Sequence, residues 1–257
     1  MSNSRRPTNP ATSQQATPRS TQVVIAVVAV LCVLAIVVIG IMVRDSGDSS
    51  DAAGSGSPTV TQESLAPGEC SEAPAPPASP ASYPAAPDPS VAEDATWVAT
   101  ISTNCGDIEL ELDGAKAPQT VASFLQLSED GFYDDTPCHR LTTEGIYVLQ
   151  CGDPTGTGSG GPGYGYGIEN APEDGAYPTG TLAMARSSDP NSNGSQFFIV
   201  YQDTMLPVEG GGYTIFGTVT KGLDIVQSIA DKGVDGGAGD GTPAQPISIL
   251  SVSVEKA

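Results

Sequence analysis

The chain has few basic residues and a single histidine. Its 257 residues include 10 lysines and arginines against 30 aspartates and glutamates, which gives a net charge of −20. A protein this acidic repels a phosphate backbone, so nucleic-acid binding is excluded. The lone His139 excludes metal centres built from several histidines, and five cysteines without a Cys-x-x-Cys pair exclude zinc-ribbon frameworks. We therefore expect no metal or other cofactor.

Charged residues are also absent from one long stretch, residues 23–43, which holds 21 uncharged and mostly apolar positions. About 20 apolar residues span the hydrocarbon core of a bilayer as a helix, so this stretch predicts a transmembrane anchor. Arginines precede the stretch and aspartates follow it, which predicts a cytoplasmic N-terminus and a domain outside the membrane. The alternative is a cleaved secretory signal, whose apolar region is shorter, about 7 to 15 residues, and ends in a small-residue cleavage site.

The segments on either side of the predicted anchor lack the apolar patterning of a folded core. Residues 1–22 are polar and predict a disordered cytoplasmic tail. Residues 44–94 are rich in proline, alanine, serine and acidic residues, a composition that cannot bury enough apolar surface to offset its chain entropy. We therefore expect a disordered linker there and a folded domain over residues 95–257.

From residue 96 the pattern changes to short alternating runs bounded by glycine and aspartate. Residues 97–103 and 108–112 predict a hairpin, and residues 118–131 predict a helix that begins with proline and ends at glycine. A second helix is expected over residues 223–231. The further strands are expected over residues 138–141, 146–150, 181–185, 197–201, 215–220 and 247–254.

These elements predict a mainly β fold. About eight strands and two helices in a domain of this length fit a closed antiparallel eight-stranded barrel with two flanking helices. Closure is expected because it removes the exposed edges that an open sheet would present.

Four cysteines follow the predicted anchor and could form disulfides in an oxidising compartment. Cys138 and Cys151 flank a predicted hairpin and could face each other. Spacing alone does not fix the pairing, so the partners of Cys70, Cys105, Cys138 and Cys151 stay open.

Two features that suggest chemistry are interpreted as structural. The glycine-rich tract over residues 152–167 lacks the Gly-Lys-Ser/Thr ending of a phosphate-binding loop, so a surface loop is expected. His139 has no serine or cysteine in a Gly-x-Ser-x-Gly elbow to act with, so a catalytic triad is not expected.

Four short segments in the domain form a recognisable series. They are CHRL at residues 138–141, QCGD at 150–153, NGSQFFI at 193–199 and YTIFG at 213–217. In this order, on predicted strands, they resemble the cyclophilin family of peptidyl-prolyl cis/trans isomerases, most closely its bacterial secreted or membrane-anchored branch. The resemblance covers the chain from about residue 96 to its end. It implies an isomerase that binds proline-containing segments of unfolded or folding proteins.

The resemblance also implies roles for individual residues. Arg140, in the His-Arg pair, matches the arginine that contacts the prolyl peptide and is expected to be the principal catalytic residue, with Gln150 beside it. The residues expected to line the proline pocket or to contact substrate are Tyr147, Val148, Ala185, Arg186, Gln196, Phe198, Met205, Leu206 and Tyr213. A long turn before Tyr147 and an extra residue after Arg186 leave the register open at those two places.

Met205 is where the sequence departs most from the family pattern. It stands where eukaryotic members have the tryptophan that hydrogen-bonds the inhibitor ciclosporin. Methionine has no N–H donor, so ciclosporin binding is expected to be weak.

The lack of an obvious acid–base pair fits this reaction. The barrier to rotation about a peptide bond, about 18–20 kcal/mol, comes from amide resonance, so no nucleophile or metal is needed to lower it. An apolar pocket for the proline ring and a fixed donor suffice if they favour the twisted state. The alternative is a module that binds proline peptides without turning them over. Arg140 favours the enzyme, because a pure binder has no need of such a donor.

Overall fold

The structure, a computed structural model, describes residues 69–257. The predicted tail (residues 1–22), the predicted anchor (23–43) and the first part of the predicted linker (44–68) lie outside the described residues. No helix within residues 69–257 is long and apolar enough to cross a membrane. This part of the chain is mainly β with two α-helices, as predicted.

The predicted hairpin and both predicted helices are present. Strands β1 (Thr96–Thr103) and β2 (Gly106–Asp113) form the hairpin, α1 spans Pro118–Glu129 and α2 spans Leu223–Lys232. The other strands are β3 (Thr136–Pro137), β4 (Arg140–Thr142), β5 (Val148–Cys151), β6 (Ala176–Tyr177), β7 (Thr181–Met184), β8 (Phe197–Val200), β9 (Thr204–Met205), β10 (Ile215–Lys221), β11 (Asp240–Gly241) and β12 (Ser248–Lys256). The two-residue strands β3, β6, β9 and β11 were not predicted, because two residues have no periodic pattern.

Ten of these strands form one antiparallel sheet in the order β11-β4-β5-β8-β7-β10-β2-β1-β12-β3, and β6 pairs with β9 apart from it. The prediction of a closed eight-stranded barrel is wrong, because the sheet is an open half-barrel. Within the described residues, β3 pairs with β12 alone and β11 pairs with β4 alone, so the two ends of the order do not meet. Both end strands have two residues, and Pro137 has no N–H with which to continue the ladder.

Helix α1 begins at a proline and is capped by a distant carboxylate. Pro118 lies in the first turn, where its missing N–H is not needed. The Glu169 carboxylate accepts hydrogen bonds from the N–H groups of Gln119 (3.0 Å) and Thr120 (2.8 Å), which satisfies free donors at the positive end of the helix. Gly131 follows the helix with φ of +67°, the left-handed conformation that favours glycine.

The central strands divide their side chains between two apolar clusters. Phe197 and Ile199 of β8 belong to the main core, where Phe124 of α1 packs on Phe197 with ring centroids 5.8 Å apart. Phe198 and Val200 belong to a second, smaller cluster. Successive side chains of a strand point to opposite faces, so β8 separates the two clusters.

Residues 69–94, predicted as the end of the linker, pack along the domain. A disulfide joins Cys70 to Cys105 in the turn between β1 and β2. The Tyr83 ring lies against Phe132, with centroids 6.2 Å apart. Within the described residues, the segment from Cys70 to residue 94 therefore packs on the folded domain. Composition could not indicate this, because the segment is held by the disulfide, by single side chains such as Tyr83 and Ala92, and by hydrogen bonds to distant residues, in place of a continuous apolar face.

Candidate functional site

Neighbouring strands bring the principal predicted residues together on one face of the sheet. Arg140 of β4 lies opposite Gln150 of β5, and Gln150 lies opposite Phe198 of β8. On the far side of Phe198, the register places Ala183 of β7. Directly opposed residues of antiparallel strands point to the same face, so these side chains form one row across the sheet.

The Arg140 side chain is held on two sides. Its Nε and Nη2 atoms each donate to a carboxylate oxygen of Asp240 at 2.7 Å, and Nη1 donates to Oε1 of Gln150 at 3.2 Å. The hydrogen bond to Asp240 is the main cause that raises the pKa of Arg140, and the same bond lowers the pKa of Asp240. Asp240 was not predicted as a site residue.

Gln150 continues this arrangement into a chain of side-chain amides. Its Nε2 donates to Oε1 of Gln196 at 2.9 Å. The Nε2 of Gln196 in turn donates to the carbonyls of Gly158 (3.1 Å) and Gly160 (2.8 Å) in the glycine-rich loop. Each amide accepts from one neighbour and donates to the next, so Arg140 and the loop are linked without a break.

The glycine-rich loop, residues 152–167, lies beside these side-chain amides, and its own hydrogen bonds fix its conformation. It is a loop, as predicted. The fully buried Asp153 accepts from the N–H and hydroxyl of Thr155 at 2.7 Å each and from the N–H of Gly160 at 3.0 Å. Burial by itself would raise the pKa of Asp153, but these hydrogen bonds outweigh it and lower the pKa. Gly152 has φ of +84°, and a Cβ there would collide with the Ser195 carbonyl.

The second apolar cluster lies beside Arg140 on the same face. Its buried members are Val148, Tyr177, Ala183, Phe198, Val200 and Leu206, and its partly exposed members are Ile146, Ala185, Tyr213 and Ile215. The rings of Phe198 and Tyr213 meet edge to face with centroids 5.8 Å apart, and Tyr177 lies 6.3 Å from Tyr213. The structure therefore brings the predicted Val148, Phe198, Leu206 and Tyr213 together.

Tyr147 does not join this cluster. Its ring packs on Tyr201, with centroids 6.0 Å apart, at the main core on the other side of the sheet. Ile146 and Val148 lie in the cluster on either side of Tyr147, because successive side chains of an extended chain point to opposite faces. Tyr147 and Val148 therefore cannot both line the cluster. Tyr177 was missed altogether, although its hydroxyl fixes Tyr213 by donating to the Tyr213 carbonyl (3.0 Å) and accepting from its N–H (2.8 Å). It lies in the two-residue strand β6, which had no sequence signal.

Arg186 uses its donors within the protein. Its Nε donates to the Gly212 carbonyl (2.7 Å), Nη1 to the Ser187 carbonyl (2.9 Å) and Nη2 to the Glu209 carbonyl (3.3 Å). The guanidinium carbon lies 4.9 Å from the centroid of the Tyr213 ring. Arg186 therefore fastens the loop after β9 and supports Tyr213 by a cation–π contact.

A cavity of about 690 Å³ opens next to the amide chain. The glycine-rich loop lines one side, and Ala185, Arg186 and Ser187 line the other, with Gln150 and Gln196 between them. Three predicted substrate-contacting residues, Ala185, Arg186 and Gln196, thus line one cavity together with Gln150, which is predicted as catalytic. Residues 69–257 hold no group of histidine, cysteine and acidic side chains that could bind a metal ion.

A family model described as cyclophilin type peptidyl-prolyl cis-trans isomerase/CLD matches residues 98–254. The chain belongs to the cyclophilin family. The match covers the site strands β4, β5, β7 and β8 and both helices.

Peptidyl-prolyl cis-trans isomerases from several organisms resemble this chain. The probable peptidyl-prolyl cis-trans isomerase B of Mycobacterium leprae is 43% identical over 176 residues, which are 63% of this chain and 58% of that protein. The protein of the same name from Mycobacterium tuberculosis is 44% identical over 60% of this chain and 53% of its own length. The chain thus spans little more than half the length of these two relatives. The peptidyl-prolyl cis-trans isomerase cyp18 of Streptomyces antibioticus is 37% identical, over 60% of this chain and 96% of its own.

A solved cyclophilin has the same fold. The crystal structure of a Cryptosporidium parvum cyclophilin type peptidyl-prolyl cis-trans isomerase matches 63% of this chain and 99% of its own, with a TM-score of 0.54 and 33% identity. A second structure of that protein, in the presence of the dipeptide ala-pro, matches with a TM-score of 0.53 and 35% identity.

Two further features surround Arg140 in this cyclophilin. A disulfide joins Cys138 to Cys151, so it ties the chain just before Arg140 to the end of β5 just after Gln150. Neither ring nitrogen of His139 has a hydrogen-bond partner among the described residues, and burial lowers its pKa. Burial therefore favours the neutral form of the imidazole.

The rim of the cluster is formed by β9 and the residue after it. Met205 is 62% exposed, whereas Leu206 is 9% exposed and packs in the cluster. The two neighbours therefore divide into a solvent-facing and an inward-facing side chain.

Proposed function

We propose that the protein is a peptidyl-prolyl cis/trans isomerase that acts on proline-containing segments of folding proteins. The observation that supports this most directly is the position of Arg140, a charged donor held by Asp240 and Gln150 beside a partly exposed apolar cluster. The proposed substrate class is also supported by the structure of the Cryptosporidium parvum cyclophilin in the presence of the dipeptide ala-pro.

In the proposed reaction the apolar cluster takes the proline ring. The partly exposed members Ala185, Tyr213 and Ile215 provide an apolar surface, and burial of the ring against them supplies binding free energy. The buried Phe198 and Leu206 belong to the same cluster. Gln150 and Gln196 offer amide groups to the peptide backbone, and the neighbouring cavity accommodates residues next to the proline.

The rate enhancement comes from Arg140. When the X-Pro bond is half rotated, the imide nitrogen no longer shares its lone pair with the carbonyl and becomes a better hydrogen-bond acceptor. A guanidinium stays charged at any working pH and donates more strongly to this twisted state than to the planar one. An interaction that is stronger in the transition state lowers the barrier.

The test is a turnover assay on the full chain in detergent, by exchange NMR or protease coupling on an Ala-Pro peptide. We expect the wild type to accelerate isomerisation and Arg140→Ala to lower kcat/KM by about 10²-fold or more, as when a preorganised donor is removed from other active sites. Lys221→Ala, which removes a cation paired with Glu109 far along the sheet, is the control and should leave kcat/KM unchanged. A wild type no faster than the spontaneous reaction contradicts the proposal and favours the alternative, a module that binds proline peptides without turnover.

The proposed location is the outer side of the cytoplasmic membrane, with residues 23–43 as the anchor. The charge distribution around that stretch supports this orientation. The two disulfides in residues 69–257 support it too, because disulfides persist in oxidising compartments and are rare in the cytosol. Protease added to spheroplasts that express the chain, whose outer layers are removed and whose cytoplasmic membrane is intact, should shorten it, and a fully protected chain would contradict this location.

Weak binding of ciclosporin is part of the proposal. The exposed Met205 offers no N–H donor at the rim. Met205→Trp should therefore tighten ciclosporin binding, measured by isothermal titration calorimetry on the variant and the wild type. An equally tight wild type would refute the idea.

A further inference from the structure

Asp240 is the carboxylate that meets Arg140, and the fold fixes it there. It lies in β11, which pairs with β4 through Asp240 and Thr142 and through Gly241 and Leu141. The residue therefore reaches the site as part of a sheet register and not from a free loop.

The contact between Asp240 and Arg140 sets the plane of the guanidinium. Both carboxylate oxygens accept, one from Nε and one from Nη2, each at 2.7 Å. A two-point contact of this kind fixes orientation as well as position. Gln150 takes a third N–H at Nη1, 3.2 Å away, so one N–H on each terminal nitrogen stays available.

The pair is too exposed to act mainly through stability. The side chain of Arg140 is 39% exposed and that of Asp240 is 54% exposed. Charge pairs with this exposure are screened by solvent and add little to the free energy of unfolding. An arginine side chain without such a partner samples many rotamers, so the main consequence of the pair is to select one of them.

We propose that Asp240 is a positioning residue for catalysis, which holds the guanidinium of Arg140 so that its free N–H groups face the proline-binding cluster. This inference rests on the proposed isomerase function. The opposite possibility is that Asp240 competes with the substrate for Arg140. In that case the removal of the Asp240 carboxylate should raise kcat/KM.

The experiment compares Asp240→Asn, Asp240→Glu and the control Asp235→Asn in the full chain, with kcat and KM measured separately. Asp235 is exposed and lies five residues before Asp240, in the segment 233–241 that is also rich in glycine. Asp235→Asn therefore tests for a general effect of losing one negative charge. We expect Asp240→Asn to lower kcat/KM about tenfold, mostly through kcat, because the apolar surface that binds proline is untouched. Asp240→Glu keeps a carboxylate and should retain most of the wild-type kcat. Asp235→Asn should have the kcat and KM of the wild type.

A second measurement separates positioning from a structural role. In an Arg140→Lys background the two-point contact cannot form, so adding Asp240→Asn should change kcat by less than about twofold. The Nε–H signal of Arg140 in NMR spectra should exchange slowly with water in the wild type and rapidly in Asp240→Asn.

The outcomes are distinguishable. If the wild type has no isomerase activity, the proposed function fails, and the Nε–H signal still tests the contact. If the wild type is active and Asp240→Asn is equally fast or faster, or equally damaging in the Arg140→Lys background, the positioning role is overturned and the isomerase function stands.

Discussion

Arg140 and Arg186 are the two arginines of the described domain, and they use the same side chain in opposite ways. Arg140 meets a carboxylate and a glutamine and keeps part of its N–H groups free toward the apolar cluster. Arg186 gives its N–H groups to backbone carbonyls and lies over the ring of Tyr213. The difference shows that the partners of an arginine, more than its presence near a site, decide whether it can act on a substrate.

The largest expected effects come from opening the two disulfides, of which only Cys138–Cys151 lies next to Arg140. Replacement of both Cys138 and Cys151 by serine removes a bridge over 13 residues and should lower the free energy of unfolding by about 3 kcal/mol. It should also lower kcat, because this bridge joins the strand ends that hold Arg140 and Gln150. Urea unfolding and the turnover assay on folded protein measure the two effects.

The matched control removes the other disulfide. Replacement of both Cys70 and Cys105 by serine opens a bridge over 35 residues and should cost about 4 kcal/mol of stability. It should leave kcat unchanged, because the bridge contacts neither arginine. Equal losses of kcat in the two double variants would show that the bridge next to Arg140 has no specific role.

The next effect is the loss of kcat/KM when each arginine is replaced by lysine. Arg140→Lys should lower kcat/KM about 10²-fold, because an ammonium cannot replace the planar fork that Asp240 and Gln150 orient. Arg186→Lys should lower it less than about tenfold, because Arg186 acts on the loop and on Tyr213. Similar losses in the two variants would mean that both arginines act on the substrate.

A smaller effect is expected when Arg186 is truncated. Arg186→Ala leaves partly exposed carbonyls without a donor and should lower the free energy of unfolding by about 1–2 kcal/mol. KM should rise while kcat changes little, because the loop and Tyr213 border the binding surface. Lys232→Ala, on the exposed end of α2, serves as the control in both measurements.

The smallest effect is the response to acid. The pKa of Asp240 is lowered by its hydrogen bond to Arg140, so the unfolded state takes up the proton first as pH falls. The contribution of the pair is complete above the ordinary aspartate pKa of about 3.9 and is lost as pH falls through the lower pKa of the folded state. Because the pair is exposed and screened, it amounts to less than about 1 kcal/mol.

The acid response also distinguishes the two arginines. The difference in unfolding free energy between wild type and Asp240→Asn should vanish on acidification, while the difference between wild type and Arg186→Ala should not, because carbonyls do not titrate. A difference for Asp240→Asn that is constant with pH would show that the pair contributes nothing.

Much of this could be predicted from the sequence, and the failures have common physical causes. The β1–β2 hairpin and both helices were predicted correctly because each has a strong local pattern. The closed barrel was wrong because closure depends on how two-residue end strands pair, and such strands have no pattern to detect. Cys70 could not be paired with Cys105 because spacing does not determine connectivity.

The site residues also separate into those that the sequence predicts and those that only the tertiary structure shows. Arg140, Gln150 and Phe198 lie in motifs on strands, and the sheet register brings them together. Asp240 was missed because it lies among glycines without alternation, and only the pairing of β11 with β4 brings it to Arg140. The roles of Arg186 and Tyr147 depended on which atoms their side chains contact, and this is tertiary information.

The disulfide between Cys70 and Cys105 also has a mechanical consequence. A pull on the chain from any position before Cys70 passes through the sulfur bridge directly to the β1–β2 turn, so it bypasses the peptide segment between the two cysteines. A single cut by a protease anywhere in that segment, including within β1, leaves the two pieces covalently joined.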